Sequence, residues 1–97
     1  MNYLLSIRDK AINELEESYN YYEEQQVGLG ENFADEVFNE ISYIQEHPLH
    51  FRKFIKNYRQ LKVNRFPFLI VYELIESKNE VVVVSVFHTS RNPKEKI

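Results

Sequence analysis

Two runs late in the chain decide its fold: Phe68-Leu69-Ile70-Val71-Tyr72-Glu73-Leu74-Ile75 and Val81-Val82-Val83-Val84-Ser85-Val86-Phe87-His88, separated by the turn signal Ser77-Lys78-Asn79. Both are rich in β-branched and aromatic residues, so they read as strands joined by a tight connection. Asn92-Pro93 ends the second run, and Pro67 stands before the first. Upstream of Pro67, Tyr58 to Arg65 alternates, with Arg59, Leu61, Val63 and Arg65 on one face and Gln60, Lys62 and Asn64 on the other. That period of two marks a third strand.

Toward the N-terminus the period lengthens. Residues 2–7 (Asn-Tyr-Leu-Leu-Ser-Ile) read as a short strand, after which a helix starts near Ser6 or Asp9, either of which can cap it. Its apolar positions Ala11, Ile12, Leu15, Tyr19 and Tyr22 follow the 3.6-residue repeat. Gly28 suits the position just past a helix end, and Leu29-Gly30 completes the connection. A second helix carries Phe33, Val37, Ile41 and Ile44 on one stripe, with Phe38 beside it, and stops before Pro48. The order β-α-α-β-β-β predicts an α+β fold, an αα-hairpin packed on one face of a largely antiparallel four-stranded sheet. One domain over residues 1–97 is expected.

Composition limits the function classes. The chain is 43% hydrophobic and 28% charged, which predicts a globular protein. It has no Cys, hence no disulfide frame, thiolate nucleophile or Cys-ligated zinc. No apolar run reaches the roughly 20 residues of a membrane span, and the N-terminus lacks the basic leader and apolar length of a signal peptide, so a cytoplasmic location is expected. His47-x-x-His50 straddles Pro48 and has no third ligand, so both histidines read as loop residues and neither metal nor cofactor is expected.

Charge is segregated. Residues 1–50 hold eleven acids against two bases, a balance of −9, and residues 51–97 hold ten bases against four acids, a balance of +6. Such asymmetry points either to an acidic partner or to solvated helix acids and Lys-guarded sheet edges. The overall pI of 5.6 argues against tight nonspecific DNA binding. Geometry adds a second pointer. Four strands span about 19 Å, and two helices about 10 Å across cover one face only. Residues 68–72 and 81–84 are nonetheless apolar on both faces. Tyr and Arg stems, the C-terminal tail, a second copy or a partner must cover the other face.

Several segments, in order, resemble the RelE/ParE superfamily of bacterial toxins from type II toxin–antitoxin modules, also described as plasmid stabilisation proteins. They are Ala11-Ile12-Asn13-Glu14-Leu15 with Tyr19-Asn20-Tyr21-Tyr22-Glu23; Gly28-Leu29-Gly30-Glu31-Asn32-Phe33 with Ile44-Gln45-Glu46-His47-Pro48; and Tyr58-Arg59, Arg65-Phe66-Pro67-Phe68-Leu69-Ile70-Val71-Tyr72 and Val84-Ser85-Val86-Phe87-His88. The resemblance implies a growth-inhibiting toxin neutralised by a cognate antitoxin. It also implies one of two targets, DNA gyrase or the ribosome with its mRNA, although some members have no established target.

The residues frame the choice. Metal-free RNA cleavage needs an acid or base and cations on the phosphate. The constellation available is His88 with Arg59 and Arg65, helped by Tyr58 or Tyr72. Each also has a structural reading: a satisfied strand-end histidine, or an arginine lying on aromatic rings or pairing with a helix acid. Endonuclease members of the family tend to carry a tyrosine after the last strand and to be strongly basic. Here Thr89-Ser90-Arg91 follows His88 and the chain is acidic. The expectation is therefore a ParE-like toxin that binds a cellular target such as DNA gyrase without catalysis, with Tyr58, Tyr72, Arg91, Lys94 and Lys96 as contact residues for target or antitoxin. The endonuclease and a non-toxic regulatory binding protein are the alternatives. An acidic or amphipathic antitoxin segment, helix or added strand, should cover surface formed by residues 51–97; no DNA-reading helix is expected.

Overall fold

A computed structural model describes residues 3–97. It contains β1 (Leu4–Ile7), α1 (Asp9–Gln25), α2 (Leu29–Glu46), β2 (Lys53–Ile55), β3 (Tyr58–Lys62), β4 (Phe68–Ile75) and β5 (Glu80–His88). The sheet order is β1-β5-β4-β3-β2, with β1 parallel to β5 and every other neighbour antiparallel. The α+β layout is the expected one, but the sheet has five strands rather than four. The added strand, β2, is three exposed residues on the outer edge of β3, too short to show a period of its own. The expected start of β1 at Asn2 lies outside the described residues.

The two helices pack on each other, on β5 and on β4. Phe33, Val37, Ile41 and Ile44 are buried against Leu61, Val63, Ile70, Tyr72, Val81, Val83 and Val86. α1 begins at Asp9, and Arg8 fills the capping position without a side-chain hydrogen bond. Gly28 does not close α1. It stands at the start of α2 with φ +90°, and Leu29 and Gly30 are already in that helix. The Glu23 carboxylate reaches across from α1 to accept the Gly28 N–H at 2.9 Å and the Gly30 N–H at 3.0 Å, satisfying donors that a helix start leaves open. Gly30 has no room for a side chain, because a Cβ there would meet the Tyr19 carbonyl oxygen at 2.7 Å.

β3 ends at Lys62 rather than continuing to Arg65, which sits in the following turn with φ +70°. On β5, Val71 pairs with Ser85 and Tyr72 with Val83, so Val84 is an extra residue. The inserted residue reverses the alternation. Val81 and Val83 face the helices before it, Val86 faces them after it, and Val82, Val84 and Phe87 face away. Regular alternation would set Val82, Val84, Val86 and His88 in one row, and the inserted residue splits that row between the two faces. The bulge turns His88 toward the helices, where its ring stands edge-on to Phe68 at 4.9 Å between centroids.

On the far face Val71, Val82, Val84 and Phe87 form a second apolar cluster, flanked by Tyr58, Leu69 and Ile75. The C-terminal tail covers part of it. Lys96 donates to Gln60 Oε1 at 3.1 Å, and its ammonium lies 5.0 Å from the Phe54 ring centre and 5.6 Å from that of Phe87. Ile97 lines a hollow with Ile7, Arg8 and Val84.

Candidate functional site

A cleft of about 620 Å³ lies between α1 and the C-terminal end of β5. Lys10, Glu14, Glu17, Tyr21 and Tyr22 line it from the helix, and Phe68, Val86, His88, Ser90 and Arg91 from the sheet and tail. Its floor is organised by Glu14. β1 pairs with β5 only as far as Val83, so beyond that point no strand among the described residues lies beside the outer edge of β5. The Glu14 carboxylate occupies that place. Its Oε1 accepts from the Val86 N–H at 3.0 Å and the Ser85 hydroxyl at 2.8 Å, and its Oε2 from Lys10 Nζ at 3.0 Å and Arg91 Nη1 at 2.6 Å. Four donors offset the cost of a carboxylate whose side chain is only 11% exposed.

His88 Nδ1 accepts the Ser90 N–H at 3.0 Å, with the Ser90 hydroxyl 2.7 Å away. A backbone N–H can only donate, so the neutral ring carries its proton on Nε2. Arg91 donates to Glu95 Oε1 at 2.7 Å as well as to Glu14, and its guanidinium lies 5.4 Å from the Phe87 ring centre. The hydrogen bonds to Glu95 and Glu14 push its pKa above the ordinary arginine value. Tyr22, on the cleft wall, has its phenol pKa raised by burial and by the neighbouring Tyr21.

The other nuclease candidates lie elsewhere. Arg59 pairs with Tyr72, four residues along β4 from the Phe68 position that pairs with His88, which is roughly 13 Å of strand. Its Nη1 donates to the Phe51 carbonyl at 2.6 Å, and its Nε is buried with no partner among the described residues. Arg65 donates to Glu36 on α2 at 3.1 Å, a carboxylate that also receives Asn64. Arg59 is thus committed to the 47–52 loop and Arg65 to α2, and neither lines the cleft that holds His88.

Of the expected contact residues, Tyr72 is fully buried. Its hydroxyl donates to the Pro48 carbonyl at 2.6 Å, and burial raises its pKa to about 12, with the nearby Arg59 charge acting in the opposite sense. It is an internal strut holding the loop after α2. Tyr58 packs at the margin of the far-face cluster, Lys96 lies over that face, and Lys94 is exposed with no side-chain partner among the described residues. Sequence reasoning passed over Glu14. A signal was present, since Glu14 falls three residues after Ala11 and beside Leu15, so it interrupts the buried side of α1 with a charge.

A family model described as ParE toxin of type II toxin–antitoxin system, parDE, matches residues 5–93. Among solved structures, the chromosomal ParDE system from P. aeruginosa superposes with a TM-score of 0.77 at 16% identity, covering 89% of this chain and 95% of that one. The intact E. coli RelBE toxin–antitoxin complex gives 0.70 at 20%, covering 92% and 99%, and the isolated E. coli RelE toxin gives 0.69 at 19%, covering 95% and 89%. Likenesses at this level of identity concern the fold. No curated protein sequence matches the chain.

Proposed function

We propose, from the premise that this chain belongs to the ParE toxin family of type II toxin–antitoxin systems, that it arrests growth by binding a large cytoplasmic target such as DNA gyrase rather than by cutting RNA. The observation that carries this reading is that Arg59 and Arg65 are bonded to protein oxygens and neither lines the cleft that holds His88. Phosphoryl transfer needs acid, base and cations within hydrogen-bond reach of one phosphate. Both arginines are instead engaged with protein oxygens, and the cations that share the cleft with His88 are held by carboxylates, Lys10 by Glu14 and Arg91 by Glu14 and Glu95. What remains for the target is surface, including the tail with its exposed Lys94.

A cognate antitoxin belongs to the same reading. No acid occurs between Glu46 and Glu73, whereas Arg52, Lys53 and Lys56 are exposed beside the partly exposed Phe54 and Ile55. An acidic, amphipathic segment fits that region, and its association rate should fall as salt rises.

Pulse-labelling of bacteria minutes after induction of the protein alone tests the target. Thymidine incorporation should fall before amino-acid incorporation, and His88→Ala should leave the arrest in place. Translation stopping first, with arrest abolished by His88→Ala in a folded protein, would replace this reading with the endonuclease. Unchanged incorporation of both would mean a regulatory binding protein.

A further inference from the structure

Glu14 does more than floor the cleft. Arg91, its partner, is the first residue of a strap that leaves the end of β5 and returns over the far face of the sheet. The guanidinium bridges the two sides, held by Glu14 in the cleft and lying against Phe87, which belongs to the far-face cluster. From Arg91 the course is set stepwise. Glu95 takes the second arm of the guanidinium at 2.7 Å, and Asn92 Oδ1 accepts the Lys94 N–H at 3.0 Å to start the turn Pro93–Glu95. Lys96 then anchors on Gln60 and the rings of Phe54 and Phe87. The one tail cation that does none of this work is Lys94, which stands exposed on the turn.

We propose that Glu14 is a positioning residue of the toxin, which through Arg91 holds the strap in the course that presents its exposed turn to the target. This rests on the reading of the tail as a target-contact surface. The four donors on Glu14 divide its roles. Oε1 serves Ser85 and Val86 and closes the outer edge of β5, whereas Oε2 serves Lys10 and Arg91. A glutamine at this position can keep the first pair of bonds. Its amide nitrogen then confronts the Arg91 guanidinium donor to donor, so the edge is kept and the strap is released.

The test is Glu14→Gln in the full chain, read by amide hydrogen exchange and by growth arrest on induction. The amides of Lys94, Glu95 and Lys96, all hydrogen-bonded within the strap, should exchange at least about tenfold faster, while those of Ile70 and Val83 in the sheet keep their rates. Arrest should be lost with the strap's protection. If Glu14→Gln does not fold, Arg91→Gln makes the same separation, because it leaves Glu14 with Ser85, Val86 and Lys10. A merely structural Glu14 would instead speed exchange in the core and strap together, and that result overturns the proposal. So does a strap as protected as in the unaltered chain, or a loosened strap with undiminished arrest. Failure of the underlying target-binding reading appears in the unaltered chain, as absence of arrest or as translation stopping before DNA synthesis. Failure of the positioning role appears only in the variants.

Discussion

Replacing Tyr72 by Phe separates a contact residue from a strut. The ring is fully buried and its hydroxyl donates to the Pro48 carbonyl at 2.6 Å, beneath the loop that joins α2 to β2. Tyr72→Phe keeps the ring's packing and removes the donor, leaving a carbonyl of the buried Pro48 without it. Such a loss costs about 1–3 kcal/mol, and in a domain of this size about 2 kcal/mol lowers the midpoint of thermal unfolding by roughly 8–16 °C. The phenol adds a pH signature. Its pKa is about 12 in the folded chain against an ordinary 10.0. The folded state therefore favours the neutral phenol, and the resulting stabilisation is complete below pH 10 and lost as pH rises from 10 to 12. A gap of that size corresponds to on the order of 2–3 kcal/mol. Urea unfolding of both proteins at pH 8 and pH 11 should show the stability difference between them narrowing at the higher pH, with unchanged m-values. Because the other tyrosines are common to both proteins, their titration cancels. Growth arrest by Tyr72→Phe below its melting temperature should match that of the unaltered chain. A melting point within about 1 °C of the unaltered protein, or a stability difference that does not depend on pH, would refute the assignment of Tyr72 as a buried strut.

Other substitutions probe other parts of the same account. Gly30→Ala sets a Cβ 2.7 Å from the Tyr19 carbonyl oxygen and should cost about 1–3 kcal/mol as the helices separate, measurable by thermal denaturation. Arg65→Ala removes an ion pair whose arginine side chain is 64% exposed, so its cost in urea unfolding should stay below about 1 kcal/mol and its effect on arrest should be nil. Lys94→Glu reverses the exposed tail cation without touching a hydrogen bond of its side chain. Its melting point should be unchanged and its growth arrest weakened in a colony-survival assay; full arrest would show that the target does not touch the turn.

The sequence by itself determined the alternation of elements, because period 3.6 and period 2 are written in neighbouring residues and need no knowledge of the fold. Phe33, Val37, Ile41 and Ile44 make one buried stripe, and Pro48 ends the helix region, as local chemistry requires. It also determined that both faces of the central strands need cover, since Val82 and Val83 are adjacent and both apolar. Tertiary structure alone decided which cover is used and where the polar side chains go. Gly28 has the same freedom of backbone whether it ends one helix or begins the next, and the choice is made by Glu23 accepting its N–H. Tyr72 reads as a candidate contact in a strand text, and only its packing in the helix-side core, with its hydroxyl on the Pro48 carbonyl, makes it internal. One extra residue at Val84 shifts His88 from the row of Val82 and Val84 to the helix side, since alternation depends on the count of residues between pairings and not on their type. Glu14 finds Ser85, Val86 and Arg91 at separations of 71, 72 and 77 residues. No local pattern encodes such a partnership, because the donors converge only once the last strand has come to lie beside the helix.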